Sequence, residues 1–142
     1  MLIALTRAVP PSIVHCELSH LARIPIDLVR ATAEHREYEL ALERLGCRVE
    51  RLPPEPEMPD SVFVEDTAVV LDDVAIITRP GAESRRGETR SMADALRPYR
   101  SLAHIEEPGT LDGGDVLRLG DTLYAGLSAR TNAEGIRQLA RF

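Results

Sequence analysis

The sequence predicts an α/β protein assembled from repeated ββαβ units. Short apolar runs of strand length, closed by turn residues, alternate with segments whose apolar positions recur at helical spacing. A hairpin-then-helix pattern also returns after about 48 residues, which marks an internal repeat. The composition of the 142 residues, 44% apolar and 28% charged, is that of a globular domain with a core.

Residues 2–9 read as a strand stopped by Pro10 and Pro11, and 12–25 as a loop. Across 26–45, Leu28, Ala31, Leu40, Ala41 and Leu45 recur with helical spacing, and Gly46 stands where a C-terminal cap belongs. Residues 47–52 form the next strand, and Pro53 to Pro59 a stiff connector. The first full unit follows: strands 62–70 and 74–78 around Asp72-Asp73, a loop at Gly81, a helix over 88–96 and a strand over 101–105. Strands 116–119 and 123–126 around Gly120-Asp121 then begin a second unit, with a helix from Thr131. The units run approximately over 1–59, 60–107 and 108–142, the first and last incomplete. Ala133, Ile136, Leu139 and Ala140 give the last helix an apolar stripe that needs cover. The expectation is a truncated chain that requires a C-terminal half or self-association to complete its fold.

A net charge of −6 argues against a nucleic-acid partner and suits a cationic or zwitterionic small ligand. Two cysteines, Cys16 and Cys47, make no disulfide framework and no metal knuckle. The apolar start Met1 to Leu5 is too short for a membrane span or secretory segment, so the reading is a soluble cytoplasmic protein with no membrane partner. No metal and no cofactor is called for.

The chemistry centres on carboxylates. Asp60 precedes, and Glu65 and Asp66 lie within, the strand expected at 62–70, and strand alternation would point Asp60 and Asp66 the same way. Buried acids need a cation. A guanidinium is satisfied by paired carboxylates, although pairing with Arg79, Arg85 or Arg86 would serve as well. Asp112-Gly-Gly-Asp115 is a second acid-bearing turn, with glycines that permit close backbone approach and positive φ at two adjacent residues. Arg85 and Arg130 each follow a hairpin and precede a helix, equivalent positions from which they could clamp a carboxylate. Together these groups describe an arginine-like ligand. A thiolate with a histidine would be the natural pair for attack on a guanidinium carbon. His15 and Cys16 are the one adjacent pair, but neighbours in sequence rarely face each other catalytically. Cys47 reads as core, His20 and His35 as loop and helix surface, and His104 as an unpartnered strand residue.

Asp60-Ser-Val-Phe-Val-Glu-Asp66, Gly109-Thr-Leu-Asp-Gly-Gly-Asp115 and Ala129-Arg-Thr-Asn-Ala-Glu-Gly-Ile136, in that order, resemble the dimethylarginine dimethylaminohydrolases of the guanidine-modifying (pentein) superfamily. The resemblance runs nearly end to end. It implies a propeller of five ββαβ units, of which this chain is about half, and a hydrolase in which a cysteine attacks the guanidinium, methylated amine leaves and water releases citrulline. It further implies that Asp66 grips the guanidinium, that Asp60 and Glu65 are pocket acids with Phe63 beside them, and that Asp112 orients the catalytic histidine. Arg85 and Arg130 would bind the ligand carboxylate, and Leu21 would belong to a lid over 16–21. The family's histidine and cysteine lie in later repeats, so this chain alone is expected to be inactive. Alternatives are a non-catalytic, self-assembling guanidinium-binding module and an arginine deiminase- or amidinotransferase-like enzyme.

Overall fold

A computed structural model describes residues 1–18 and 21–142. The chain divides into two compact units, Met1–Val64 and Glu65–Phe142.

In the first unit, strand β1 (Ile3–Arg7) leads through a 3-10 turn (Pro11–His15) to helix α1 (Leu28–Arg44) and back to strand β2 (Arg48–Leu52). The two strands pair in parallel, Ile3 opposite Arg48, so α1 is the crossover. The Asp27 carboxylate caps α1 by accepting the Arg30 N–H at 3.0 Å, and Gly46, at φ 89°, takes the left-handed conformation that ends it. One charged side chain anchors the helix: Glu39 has no exposed surface. It accepts from the Thr6 hydroxyl at 2.8 Å, from Arg51 Nε at 2.8 Å and from Arg36 at 3.3 Å. His35 stands 3.5 Å from it with only 16% of its side chain exposed, so His35 is not the helix-surface residue that the sequence suggested. Cys47 is half-buried rather than core.

A 3-10 turn (Val64–Thr67) leads into the second unit, which continues with strand β3 (Ala68–Val70) antiparallel to β4 (Val74–Ile77), helix α2 (Glu88–Leu96) and β5 (Ser101–His104) parallel to β4. After a 3-10 turn (Gly113–Asp115), β6 (Val116–Leu119) and β7 (Thr122–Ala125) make an antiparallel pair followed by α3 (Ala133–Leu139). The expected ββαβ order is present once in full and begins a second time. The expected strand over 62–70 is not: only its last three residues are extended. Turn hydrogen bonds from Ser61 N–H to Met58 O and from Phe63 N–H to Asp60 O curl the chain, and they override the strand propensity of its valines and phenylalanine. The inference that Asp60 and Asp66 share a strand face falls with that strand.

The core of this unit gathers Val69, Ile76, Ile105, Leu111 and Leu139. Leu139 is thereby covered, so the stripe of α3 is less bare than expected. The apolar face left open lies instead on the β6–β7 pair, where Leu117, Leu119 and Tyr124 are each more than half exposed. The repeat explains why. At the 48-residue offset that separates Asp66 from Gly114, Leu117 and Tyr124 correspond to Val69 and Ile76, which pair across β3 and β4 and are buried under the following unit's Leu111 and Leu139. Val116, Leu123 and Ala125, on the opposite face, do pack against this core.

Candidate active site

Asp66 sits on the turn before β3, where a 3-10 backbone holds it at the mouth of the strand. Its Oδ1 accepts the Gly114 N–H at 3.1 Å and its Oδ2 accepts Arg85 Nη1 at 2.5 Å. Arg85 ends a 3-10 turn (Glu83–Arg85) just ahead of α2, and its Nη2 donates to Glu88 Oε2 at 2.8 Å. Both Arg85 and Glu88 are almost fully buried, at 4% and 2% exposure. Burial disfavours the guanidinium charge, but the hydrogen bonds that Arg85 donates to Glu88 and Asp66 outweigh it and hold Arg85 charged beyond its ordinary range. Of the chain's arginines, then, it is Arg85 that neutralises Asp66, and its donors are turned to Asp66 and Glu88.

The Gly113-Gly114 pair is where the backbone requires glycine. Neither residue has positive φ, contrary to the sequence reading, since the positive-φ glycines are Gly46 and Gly120. The requirement is close approach: a Cβ on Gly113 would lie 2.0 Å from the Glu65 carbonyl oxygen, and one on Gly114 2.5 Å from Asp66 Oδ1. These glycines let the second acid-bearing turn dock against the first.

Asp112 has no exposed surface. Its Oδ1 accepts the Gly81 N–H at 3.3 Å. Its Oδ2 is buried and has no hydrogen-bond partner among the described residues, although Arg130 Nε stands 3.2 Å away as an ion-pair partner. Burial pushes this carboxyl above the usual carboxylate range, and the Asp66 charge pushes it further, against the pull of the Gly81 N–H, Arg130 and Arg85. A cationic or N–H donor at Oδ2 would relieve it. Arg130 is about half exposed, at 45% of its side chain, and Glu65 is exposed beside Asp66.

The remaining predicted residues belong to the first unit. Asp60 is 6% exposed, and its two carboxylate oxygens accept the Glu17 N–H at 3.2 and 3.1 Å. Leu21 is largely exposed and Phe63 partly so. Cys16 is buried, and its carbonyl accepts from Arg23 Nη2 at 2.6 Å. Ser19 and His20 of the expected lid lie outside the described residues. Sequence reasoning missed Glu88, Gly81 and Thr131. An acid three positions after Arg85 on a nascent helix was the available signal for Glu88; a hydroxyl or a glycine carries none until its neighbours in space are known.

The family model for eukaryotic N,N dimethylarginine dimethylhydrolase matches residues 23–142. The chain belongs to the dimethylarginine dimethylaminohydrolase family. The Streptomyces coelicolor member is 46% identical over 137 residues, which cover 96% of this chain and 53% of that protein. Among solved structures, a dimethylarginine dimethylaminohydrolase histidine-to-glycine variant, carrying an adduct with S-methyl-L-thiocitrulline, superposes with a TM-score of 0.91 at 42% identity over 95% of this chain and 54% of that one. The Pseudomonas aeruginosa enzyme, as a cysteine-to-serine variant complexed with citrulline, superposes with a TM-score of 0.89 at 43% identity over 95% of this chain and 53% of that one. This family member therefore spans about half the length of the relatives it matches. Its small mixed α/β sheets are those of half a dimethylarginine dimethylaminohydrolase. Among the described residues, no helix is long and apolar enough to cross a membrane, and no cluster of His, Cys, Asp and Glu is arranged to hold a metal ion.

Proposed function

We propose that this chain is the N-terminal, substrate-holding half of a hydrolase that converts a methylated arginine to citrulline and a methylated amine through a covalent cysteine intermediate. The observation that carries this reading is the pair of acids Asp66 and Asp112, in one unit where Asp66, Glu88 and Asp112 share only two ion-paired arginines, Arg85 and Arg130. A planar guanidinium from a ligand fits that deficit, because it keeps its charge at neutral pH and presents donors to two carboxylates at once. Asp66 grips it, preset by Gly114 and Arg85, with Glu65 beside it. Asp112 Oδ2 accepts the ring N–H of a catalytic histidine, which orients the imidazole and returns Asp112 toward its ionised form. That histidine and the nucleophilic cysteine come from outside these residues. Arg130 meets the ligand carboxylate, and Arg85, which donates to Asp66 and Glu88, has as its first task to fix Asp66.

The open face of Leu117, Leu119 and Tyr124 supports the rest of the proposal, since the preceding repeat covers its own equivalent face with the unit that follows. A further ββαβ unit is the occupant that fits. The test is citrulline production from dimethylarginine by the chain alone and after addition of a C-terminal half from a family member. Turnover is expected only with both parts, and Asp66→Asn abolishes it. Turnover by the chain alone would overturn the reading and give Cys16 the catalytic part. A stable dimer that binds dimethylarginine without turnover or partner would favour the self-assembling module.

A further inference from the structure

Asp115 carries no role in the proposed chemistry, yet it organises the groups that do. Its Oδ2 accepts the Thr131 hydroxyl at 2.6 Å and the Ser128 hydroxyl at 2.7 Å. The Ser128 hydroxyl in turn accepts the backbone N–H groups of Arg130 and Thr131, each at 3.0 Å. The Thr131 hydroxyl, 1% exposed with its residue, accepts the Asp112 backbone N–H at 3.0 Å. The network therefore runs from the Asp112 backbone through Thr131 and Asp115 to Ser128 and back to the Arg130 backbone. Along it, the Arg130 guanidinium is held with Nε 3.2 Å from Asp112 Oδ2 and Nη2 4.0 Å from Asp115 Oδ1. Gly81 closes the other side: a Cβ there would lie 2.4 Å from the Arg130 Cα.

We propose that Asp115 is a positioning residue which, through the hydroxyls of Thr131 and Ser128, locks Arg130 and Asp112 into one fixed arrangement. Hydroxyl hydrogen bonds to an ionised acceptor are short and strong, and a closed set of them leaves its members few alternative geometries. The benefit to ligand binding rests on the reading of Arg130 and Asp112 given above. The lock itself does not, and the two are separately testable.

The experiment uses the full chain, isotopically labelled. The Arg130 Nε–H resonance and the titration of the Asp112 carboxyl carbon are followed by NMR in Thr131→Val, which keeps shape and charge but removes the hydroxyl, and in Thr131→Ser, which restores it. Thr131→Val is expected to move the Arg130 resonance and to raise the Asp112 midpoint by about half a pH unit as the guanidinium drifts away. Thr131→Ser returns both to the unaltered values. In a parallel dimethylarginine titration, Thr131→Val weakens binding about tenfold, as expected when a supporting shell is removed. If Thr131→Val does not fold, Ser128→Ala, at an exposed residue, is held to the same Arg130 shift. An Arg130 resonance and Asp112 midpoint unmoved by the loss of the hydroxyl would overturn the proposal. Failure of the unaltered chain to bind dimethylarginine would instead count against the ligand reading and leave the NMR result to decide the lock.

Discussion

Replacing Glu39 with glutamine isolates the contribution of one buried charge. Glu39 is fully buried on α1, and its carboxyl is drawn from 4.5 down to about 2, first by the Arg51 hydrogen bonds and then, against the cost of burial, by Thr6 and Arg36. A depressed acid stabilises the fold above its unfolded value, so this contribution is fully present above pH 4.5 and is lost as the pH falls toward 2. A difference of that size corresponds to about 3 kcal/mol at neutral pH. Arg51 and Arg36 are half-exposed, so water takes back part of this, and about 2 kcal/mol is the working expectation. Glu39→Gln keeps the volume and one acceptor but no charge. Urea titrations followed by circular dichroism should show the variant less stable by about that amount at pH 7, with the gap closing as the pH is lowered from 5 to 2. A gap that stays constant over this range would show that the Glu39 charge is not what holds α1 to the two strands.

Gly113→Ala drives a methyl group into the Glu65 carbonyl and should cost on the order of 3 kcal/mol or prevent folding, whereas Gly120→Ala, at φ 59° in open space, should cost about 1 kcal/mol; thermal denaturation of the two separates crowding from backbone strain. Arg85→Met leaves Asp66 and Glu88 facing each other without their cation, and a loss of about 3–5 kcal/mol is expected, with partial recovery in the Arg85→Met/Glu88→Gln double variant. Leu117→Asp should leave the urea midpoint of the chain within experimental error, because the side chain is exposed, while abolishing co-purification with an added C-terminal half. Retained co-purification would place the junction elsewhere.

Local order was legible. The position of α1 followed from the spacing of apolar residues, Gly46 marked its end, and a helix was expected over the residues that form α2. The hairpin turns at Asp72-Asp73 and Gly120-Asp121 followed from turn chemistry. The strand at 62–70 misled because propensity favours Val62, Phe63, Val64 and Val69, while the turn bonds of Ser61 and Phe63 outweigh that preference. Of the two reasons that singled out the glycines after Asp112, close backbone approach holds and positive φ does not, and what they approach, a carbonyl and a carboxylate 48 residues away, was not legible. Glu88 could not be singled out as the second partner of Arg85, because only folding shows that both are buried.

By itself the sequence determined which acids and arginines are available and that a hairpin-then-helix pattern recurs, since residue chemistry and periodicity are properties of the chain. Only the tertiary structure decided the pairings. Arg85 goes to Asp66 and Glu88, Glu39 to Arg51 and Thr6, and Asp112 Oδ2 stands beside Arg130 without a hydrogen bond among the described residues. Which opposite charges meet, and how dry their meeting place is, depends on distances across space, and these partnerships are set by packing that brings separate stretches of chain together.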